Sequence, residues 1–221
     1  KNNKLLVTLI IITILASGIY LLRDNIRRLV FAPRNSNIQT GIESKDLQSP
    51  QKSANTKVIE NLKTIAADLD IPWEIAFLPN GDMLVTERPG TLLRIGENRE
   101  VISEIEGVEN AGEGGLLGIV LHPEYEDNNY IYLYLTSRDE EGLINRVERY
   151  KLEENQLTDK QIIIDQIPGA SYHDGGRMEF GPEGYLWITT GDAGETRLAQ
   201  ETDSLAGKIL RLNPDGSIPE D

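Results

Sequence analysis

The sequence contains no cysteine and only two histidines, His122 and His173. The first absence excludes a disulfide scaffold, a thiolate metal site and a cysteine nucleophile together. The second excludes a histidine-rich metal centre. Neither decides the compartment, because an exported protein need not carry disulfides. Positive charge is scarce as well: 22 Lys and Arg stand against 36 Asp and Glu, a net charge of −14. A surface that acidic repels phosphate backbones, so nucleic acid is not an expected partner. Acidity selects no substrate by itself; it keeps a domain soluble. The 221 residues are 39% hydrophobic and 26% charged, which reads as one globular domain with a sizeable core plus extra segments.

What is present is unevenly spread. Residues 1–34 hold Lys1, Lys4, Arg23, Arg27, Arg28 and Arg34 against Asp24 alone. Within them, Leu5 to Leu22 is an uncharged run of 18 residues. That lies inside the roughly 17–25 residues a helix needs to cross a bilayer, and beyond the roughly 7–15-residue core of a cleaved signal peptide. A buried soluble helix would show a polar face, and this run has none. Residues 1–34 are therefore read as a membrane anchor with basic flanks, with a signal segment cleaved near Ala16-Ser17-Gly18 as the alternative. Arg23, Arg27 and Arg28 after the span would by themselves turn the C-terminal side to the cytoplasm. Residues 35–57 shift to Asn, Ser, Gln, Thr, Lys and Pro and read as a flexible polar linker. The first residue is Lys, and Ile218-Pro-Glu-Asp221 stops without a helix end or polar tail, so both ends read as cut.

From residue 58 onward the pattern is one of short strands. Apolar-rich segments at 74–78, 83–87, 91–95 and 101–105 are separated by Pro79-Asn80-Gly81-Asp82, Pro89-Gly90 and Gly96-Glu97-Asn98. Turn residues at this interval punctuate antiparallel strands. A second group covers 118–121, 130–136, 145–152 and 161–166, and a third begins at 178–180, 185–190 and 208–212. The segment from Ile75 to Thr86 parallels that from Met178 to Thr189, and Ile119 to Pro123 followed by Tyr130 to Tyr134 repeats the theme with a longer turn. Four-stranded units repeating every roughly 40–50 residues mark a β-propeller, whereas a plain β-sandwich predicts no repeated strand–Pro–x–Gly–strand unit. Propellers close with about 4–8 blades. The fold class is therefore all-β, with residues 58–221 the N-terminal portion, about three blades, of a larger ring. Alone, that portion is not expected to be a stable, cooperatively unfolding monomer.

Two clusters stand out. The denser runs from Tyr172 to Gly194. His173 precedes one strand and Asp192 follows the next, and the turn at Pro182-Glu183-Gly184 brings both positions back to one end. A carboxylate beside a histidine fixes its tautomer and stabilises the imidazolium. On spacing alone, a surface histidine and an aspartate capping a turn are the favoured reading. No Ser or Cys nucleophile has a recognisable setting, which favours proton abstraction over acyl transfer. The second cluster, Asn110 to Gly118, has four glycines around Glu113. It lacks the Lys-Ser/Thr of a phosphate loop, and its carboxylate would repel phosphate. By itself it reads as a turn between blades.

These residues carry a family resemblance. Pro72-Trp73, the stretch from Phe77 to Gly90, Gly112 to Gly118 with His122-Pro123, His173 to Gly194, and Gly207 to Arg211 resemble, in the same order, the glucose/sorbosone dehydrogenase family, most closely its aldose sugar dehydrogenase branch. The likeness covers roughly residues 65–221. It implies a six-bladed propeller binding pyrroloquinoline quinone (PQQ) and Ca2+ in its central cleft, on the extracytoplasmic side of the membrane. It puts the family's catalytic base, which also faces the cofactor, on His173 and its supporting carboxylate on Asp192. Glu113 falls where relatives commonly place a substrate-facing Gln, and Asp174 is expected to line the pocket. His122 falls in a structural turn. The implied reaction is oxidation of the anomeric carbon of an aldose to a lactone: His173 takes the hydroxyl proton, hydride goes to PQQ, Ca2+ polarises the quinone, and electrons pass to an unidentified acceptor. Most groups that grip PQQ and calcium in relatives come from later blades, so no metal ligand is assigned and this stretch alone should bind PQQ poorly. Two rival readings are a membrane-tethered recognition propeller without catalysis, and a calcium-dependent lactonase on a similar ring, which would need acidic metal ligands facing the channel.

Overall fold

The computed structural model describes residues 63–220. The apolar run Leu5–Leu22 and the polar linker at 35–57 lie outside them. Among the described residues no helix is long and apolar enough to cross a membrane.

Among the described residues eleven strands form three antiparallel sheets in chain order. The first holds β1 (Pro72–Phe77), β2 (Met83–Glu87), β3 (Thr91–Ile95) and β4 (Arg99–Glu104). The second holds β5 (Leu116–Leu121), β6 (Tyr130–Arg138), β7 (Leu143–Glu153) and β8 (Gln156–Pro168). The third holds β9 (Gly175–Phe180), β10 (Leu186–Thr190) and β11 (Ile209–Leu212). Within each sheet every strand pairs with its neighbour in sequence, as the turn residues between them require. The expected strands appear with shifted ends. The largest difference is β8, which starts at Gln156 rather than near Gln161. Its first half is an exposed sheet edge, where polar side chains meet water and no apolar alternation is needed.

Period-two alternation explains how the sheets stack. On β6, Ile131, Leu133 and Leu135 pack with Leu84 and Leu92 of the first sheet. The intervening Tyr132 and Tyr134 pack with Met178, Leu186 and Ile188 of the third. One strand thus feeds two cores, and both faces of β6 are buried. Polar groups finish the join. The Thr86 hydroxyl donates to the Leu117 carbonyl at 2.6 Å, and Glu74 Oε2 accepts the Ile119 N–H at 3.1 Å, so backbone groups on the edge strand β5 find partners in the neighbouring sheet.

The outer sheets are different. Their far faces carry Phe77 and Ile75 on β1, Trp187 on β10 and Ile209 on β11, all exposed among the described residues. Val85, Leu93 and Ile95 on the first sheet's far face are covered by Ala66 and Leu69. An apolar face left open at each end of a stack of sheets is what a partial ring presents.

Candidate active site

The first strands of the three sheets adjoin in order, β1 against β5 and β5 against β9. The loops at one end of these strands surround a cavity of about 460 Å³ lined by Trp73, Arg88, Glu113, Leu117, His173 and Asp174, among others. A larger cleft of about 700 Å³, beside Arg94, Tyr125 and Glu153, contains neither histidine.

The β9–β10 hairpin sets the chemistry of the smaller cavity. Gly175 pairs with Thr190 at its open end, so the residues before β9 and after β10 emerge together. There His173 Nδ1 and Asp192 Oδ1 lie 2.9 Å apart. The Gly194 N–H also donates to Asp192 Oδ1, at 3.0 Å. The imidazole first, then this backbone donor, hold the Asp192 carboxyl below the usual carboxylate range. An ionised Asp192 makes Nδ1 the protonated nitrogen and leaves Nε2, which has no partner among the described residues, as a base. The imidazole side chain is 57% exposed while Asp192 is only 19% exposed, so the ring is presented and its carboxylate partner is shielded. The Tyr172 ring stands edge-on to the imidazole, 4.9 Å away.

His173 has φ of 61°, in the left-handed region that a residue with a Cβ enters at a cost of roughly 1 kcal/mol or more. Two hydrogen bonds hold it there. Its N–H donates to Glu113 Oε2 at 2.9 Å, and its carbonyl accepts the Ala193 N–H at 3.2 Å. Backbone strain fixed from both sides is a feature of functional sites, and here it falls on the candidate base.

The glycine-rich segment, which as a sequence reads as a turn between blades, is packed onto this histidine turn. The Glu113 N–H donates to the Ser171 carbonyl at 2.8 Å. Gly112 has φ of 61°, and a Cβ there would stand 2.0 Å from the same carbonyl oxygen, so only glycine permits the approach. Arg88 grips the segment from the other side. Its guanidinium donates to the Gly114 carbonyl at 2.9 Å, to Asn110 Oδ1 at 3.2 Å and to the Gly112 carbonyl. Sequence reasoning missed Arg88, since a lone arginine before Pro89-Gly90 has no pattern of its own.

The four expected site residues therefore occupy distinct places. His173 and Asp192 meet. Glu113 lines the cavity and is anchored to the His173 backbone. Asp174 borders the cavity, yet the residue is only 3% exposed. Its Oδ1 accepts from Asn145 Nδ2 at 3.0 Å and from the Ala170 N–H at 3.1 Å. Its Oδ2 is buried with no hydrogen-bond partner among the described residues. Burial, foremost, pushes the Asp174 carboxyl upward. His122 lies elsewhere, against Tyr132 and Phe180, with Nδ1 accepting the Glu124 N–H at 3.0 Å. Burial lowers its pKa, which suits a neutral, structural ring.

Comparison with known proteins gives a consistent set of likenesses. A family model described as Glucose / Sorbosone dehydrogenase matches residues 69–221. The aldose sugar dehydrogenase YliI of Escherichia coli is 34% identical over 170 residues, covering 73% of this chain and 46% of that protein. Quinoprotein glucose dehydrogenase B of Acinetobacter calcoaceticus is 32% identical over 192 residues, covering 72% of this chain and 40% of that protein. Among solved structures, the PQQ-bound form of aldose sugar dehydrogenase from Streptomyces coelicolor superposes with a TM-score of 0.66 at 41% identity, over 70% of this chain and 48% of that one. The chain spans less than half the length of these relatives.

Proposed function

The chain belongs to the glucose/sorbosone dehydrogenase family, and on that premise we propose that it supplies the catalytic base of a PQQ-dependent enzyme oxidising the anomeric carbon of aldose sugars to lactones. One observation carries the reading: the 2.9 Å contact of His173 Nδ1 with Asp192 Oδ1, at the mouth of a cavity, with Nε2 unengaged. Nε2 takes the proton of the anomeric hydroxyl. Asp192 keeps the imidazole in the tautomer that can accept it and stabilises the charge that results. Glu113 presents Oε1 to the sugar, since only its Oε2 is engaged by the His173 backbone.

PQQ is a quinone with three carboxylates, and the residues present fit it in part. The exposed imidazole beside an open cavity suits its reactive edge. Its carboxylates need cations, and the one cavity arginine, Arg88, is occupied with backbone carbonyls. The groups gripping that rim are assigned to three further blades, which would also cover the apolar faces at Phe77 and Ile209 and close a six-bladed ring. The chemistry supplied by bound PQQ is acceptance of hydride from C1 and its delivery as electrons to a separate acceptor. Among the described residues no group of three or more acidic or histidine side chains gathers as a metal centre; the groups holding Ca2+ are assigned, like those gripping PQQ, to the further blades.

The full-length protein, loaded with PQQ and Ca2+ and given an aldose with an artificial electron acceptor, is expected to form lactone. In it, Asp192→Asn should lower kcat by on the order of 10²-fold or more, because an amide can donate to Nδ1 and move the ring proton onto Nε2. Unchanged turnover in Asp192→Asn would remove the oriented-base mechanism; no lactone from the unaltered protein would remove the activity itself.

The run Leu5–Leu22 supports attachment to a membrane. We place the catalytic domain on its extracytoplasmic side, by likeness to the family and against the count of Arg23, Arg27 and Arg28. Protease added outside intact spheroplasts should then digest the domain, and complete protection would reverse the orientation.

A further inference from the structure

We propose that Asp174 is a positioning residue: its buried carboxyl closes the turn that carries His173 and fastens it to the neighbouring sheet, without touching substrate. The inference rests on the reading of His173 as the base. Asp174 follows the base directly and borders the same cavity, which is why as a sequence it looks like a pocket residue. The structure points its carboxyl the other way. Oδ1 accepts the Ala170 N–H at 3.1 Å, which closes residues 170–174 into one ring around Ser171, Tyr172 and His173. The same oxygen accepts Asn145 Nδ2 of β7 at 3.0 Å. Asn145 is itself fixed, its Oδ1 accepting the Thr136 hydroxyl of β6 at 2.7 Å and its amide reaching the Pro168 carbonyl at 3.2 Å. The Tyr134 hydroxyl donates to the Asp174 backbone carbonyl at 2.8 Å. Thr136, Asn145 and Asp174 are all buried, so the chain of bonds runs through dry protein, where each is worth most.

The second carboxyl oxygen decides between holding the turn and binding a ligand. Oδ2 is buried and has no partner among the described residues, so no hydroxyl in the cavity can reach it without displacing the turn. A buried oxygen without a donor disfavours the ionised form, and the nearby Glu113 acts in the same direction while Arg88 opposes it. A neutral carboxyl suffices for the task, because the work is done by Oδ1 as an acceptor. Asn offers the same acceptor at nearly the same size.

That equivalence gives the test, made on the full-length protein in parallel with the unaltered one. Asp174→Asn should hold kcat and KM within about threefold. Asp174→Ala should lower kcat by about 10–100-fold with KM little changed, since a base misplaced by an ångström costs turnover more than affinity. A second readout needs neither cofactor nor turnover. The imidazole Nδ1–H proton shared with Asp192 should give a downfield NMR signal that persists in Asp174→Asn and broadens away in Asp174→Ala. Should Asp174→Ala not fold, Asn145→Ala replaces it, removing one of the two donors and moving kcat and the signal in the same direction by less. A rise in KM at unchanged kcat would mark Asp174 as a substrate contact and overturn the proposal, as would an alanine variant that keeps both turnover and signal. If the unaltered protein oxidises no aldose, the dehydrogenase reading fails, and the imidazole signal alone still decides whether Asp174 holds the turn.

Discussion

Replacing His173 with alanine in the full-length, cofactor-loaded protein is expected to lower aldose oxidation by about 10²–10⁴-fold, the range a positioned general base contributes. The loss should fall on kcat, with sugar affinity nearly intact. The reason lies in what the side chain touches. Among the described residues the imidazole engages, apart from the edge-on Tyr172 ring, only Asp192, and it is more than half exposed. Removing it opens no core cavity and leaves Glu113, the cavity walls and the backbone hydrogen bonds of residue 173 in place. Alanine meets the left-handed φ of 61° with a strain similar to that of histidine, so melting should shift little. Added imidazole should restore part of the turnover in the alanine variant, because the space and the shielded Asp192 remain. Near-normal turnover without rescue would take His173 out of the mechanism and leave the non-catalytic propeller as the better account.

Much of the fold was legible in the sequence because the turns announce themselves. Pro79-Asn80-Gly81 and Pro182-Glu183-Gly184 each separate two apolar-rich strands, and β2, β3 and β10 fall where those turns put them. The start of β8 was illegible for a physical reason: Gln156, Thr158 and Lys160 lie on a solvated edge, where strand formation leaves no apolar signature. The meeting of His173 with Asp192 was legible because a hairpin returns its ends to one place. The Glu113 contact was not, since it lies 60 positions before His173 with the whole second sheet between them, and only packing brings the segments together. Asp174 shows the opposite limit. Proximity in sequence to the base suggests a shared role, yet adjacent side chains on this turn face opposite ways, and the structure buries one while exposing the other.

The strongest expected structural effect sits at a residue with no side chain. Gly191 immediately precedes the supporting carboxylate, and a Cβ there would stand 1.6 Å from the His173 carbonyl oxygen and 2.9 Å from the Asp174 amide nitrogen. The first is well inside contact distance and the obstacle is backbone, so no rotamer change relieves it. Either the histidine turn or the strand end must move. The His173 carbonyl is held by the Ala193 N–H, and the next residue is fastened through Tyr134, so movement of the turn breaks bonds on both sides of the base. Movement of the strand end instead carries Asp192 away from Nδ1. Gly191→Ala is therefore expected to reduce turnover at least as far as Asp192→Asn, and to destabilise the protein by about 1–3 kcal/mol or more, as overpacking of a tight site does. Thermal unfolding and aldose turnover, measured together, read both effects. Gly184→Ala is the control: that glycine has φ of 82° and nothing within 4 Å of its missing Cβ, so its variant bears only the backbone cost, of roughly 1–2 kcal/mol, and should keep its turnover. If Gly191→Ala matches the unaltered protein in both measurements, the His173 and Asp192 turns do not approach as closely as their hydrogen bond requires. The oriented base would then lose its structural footing.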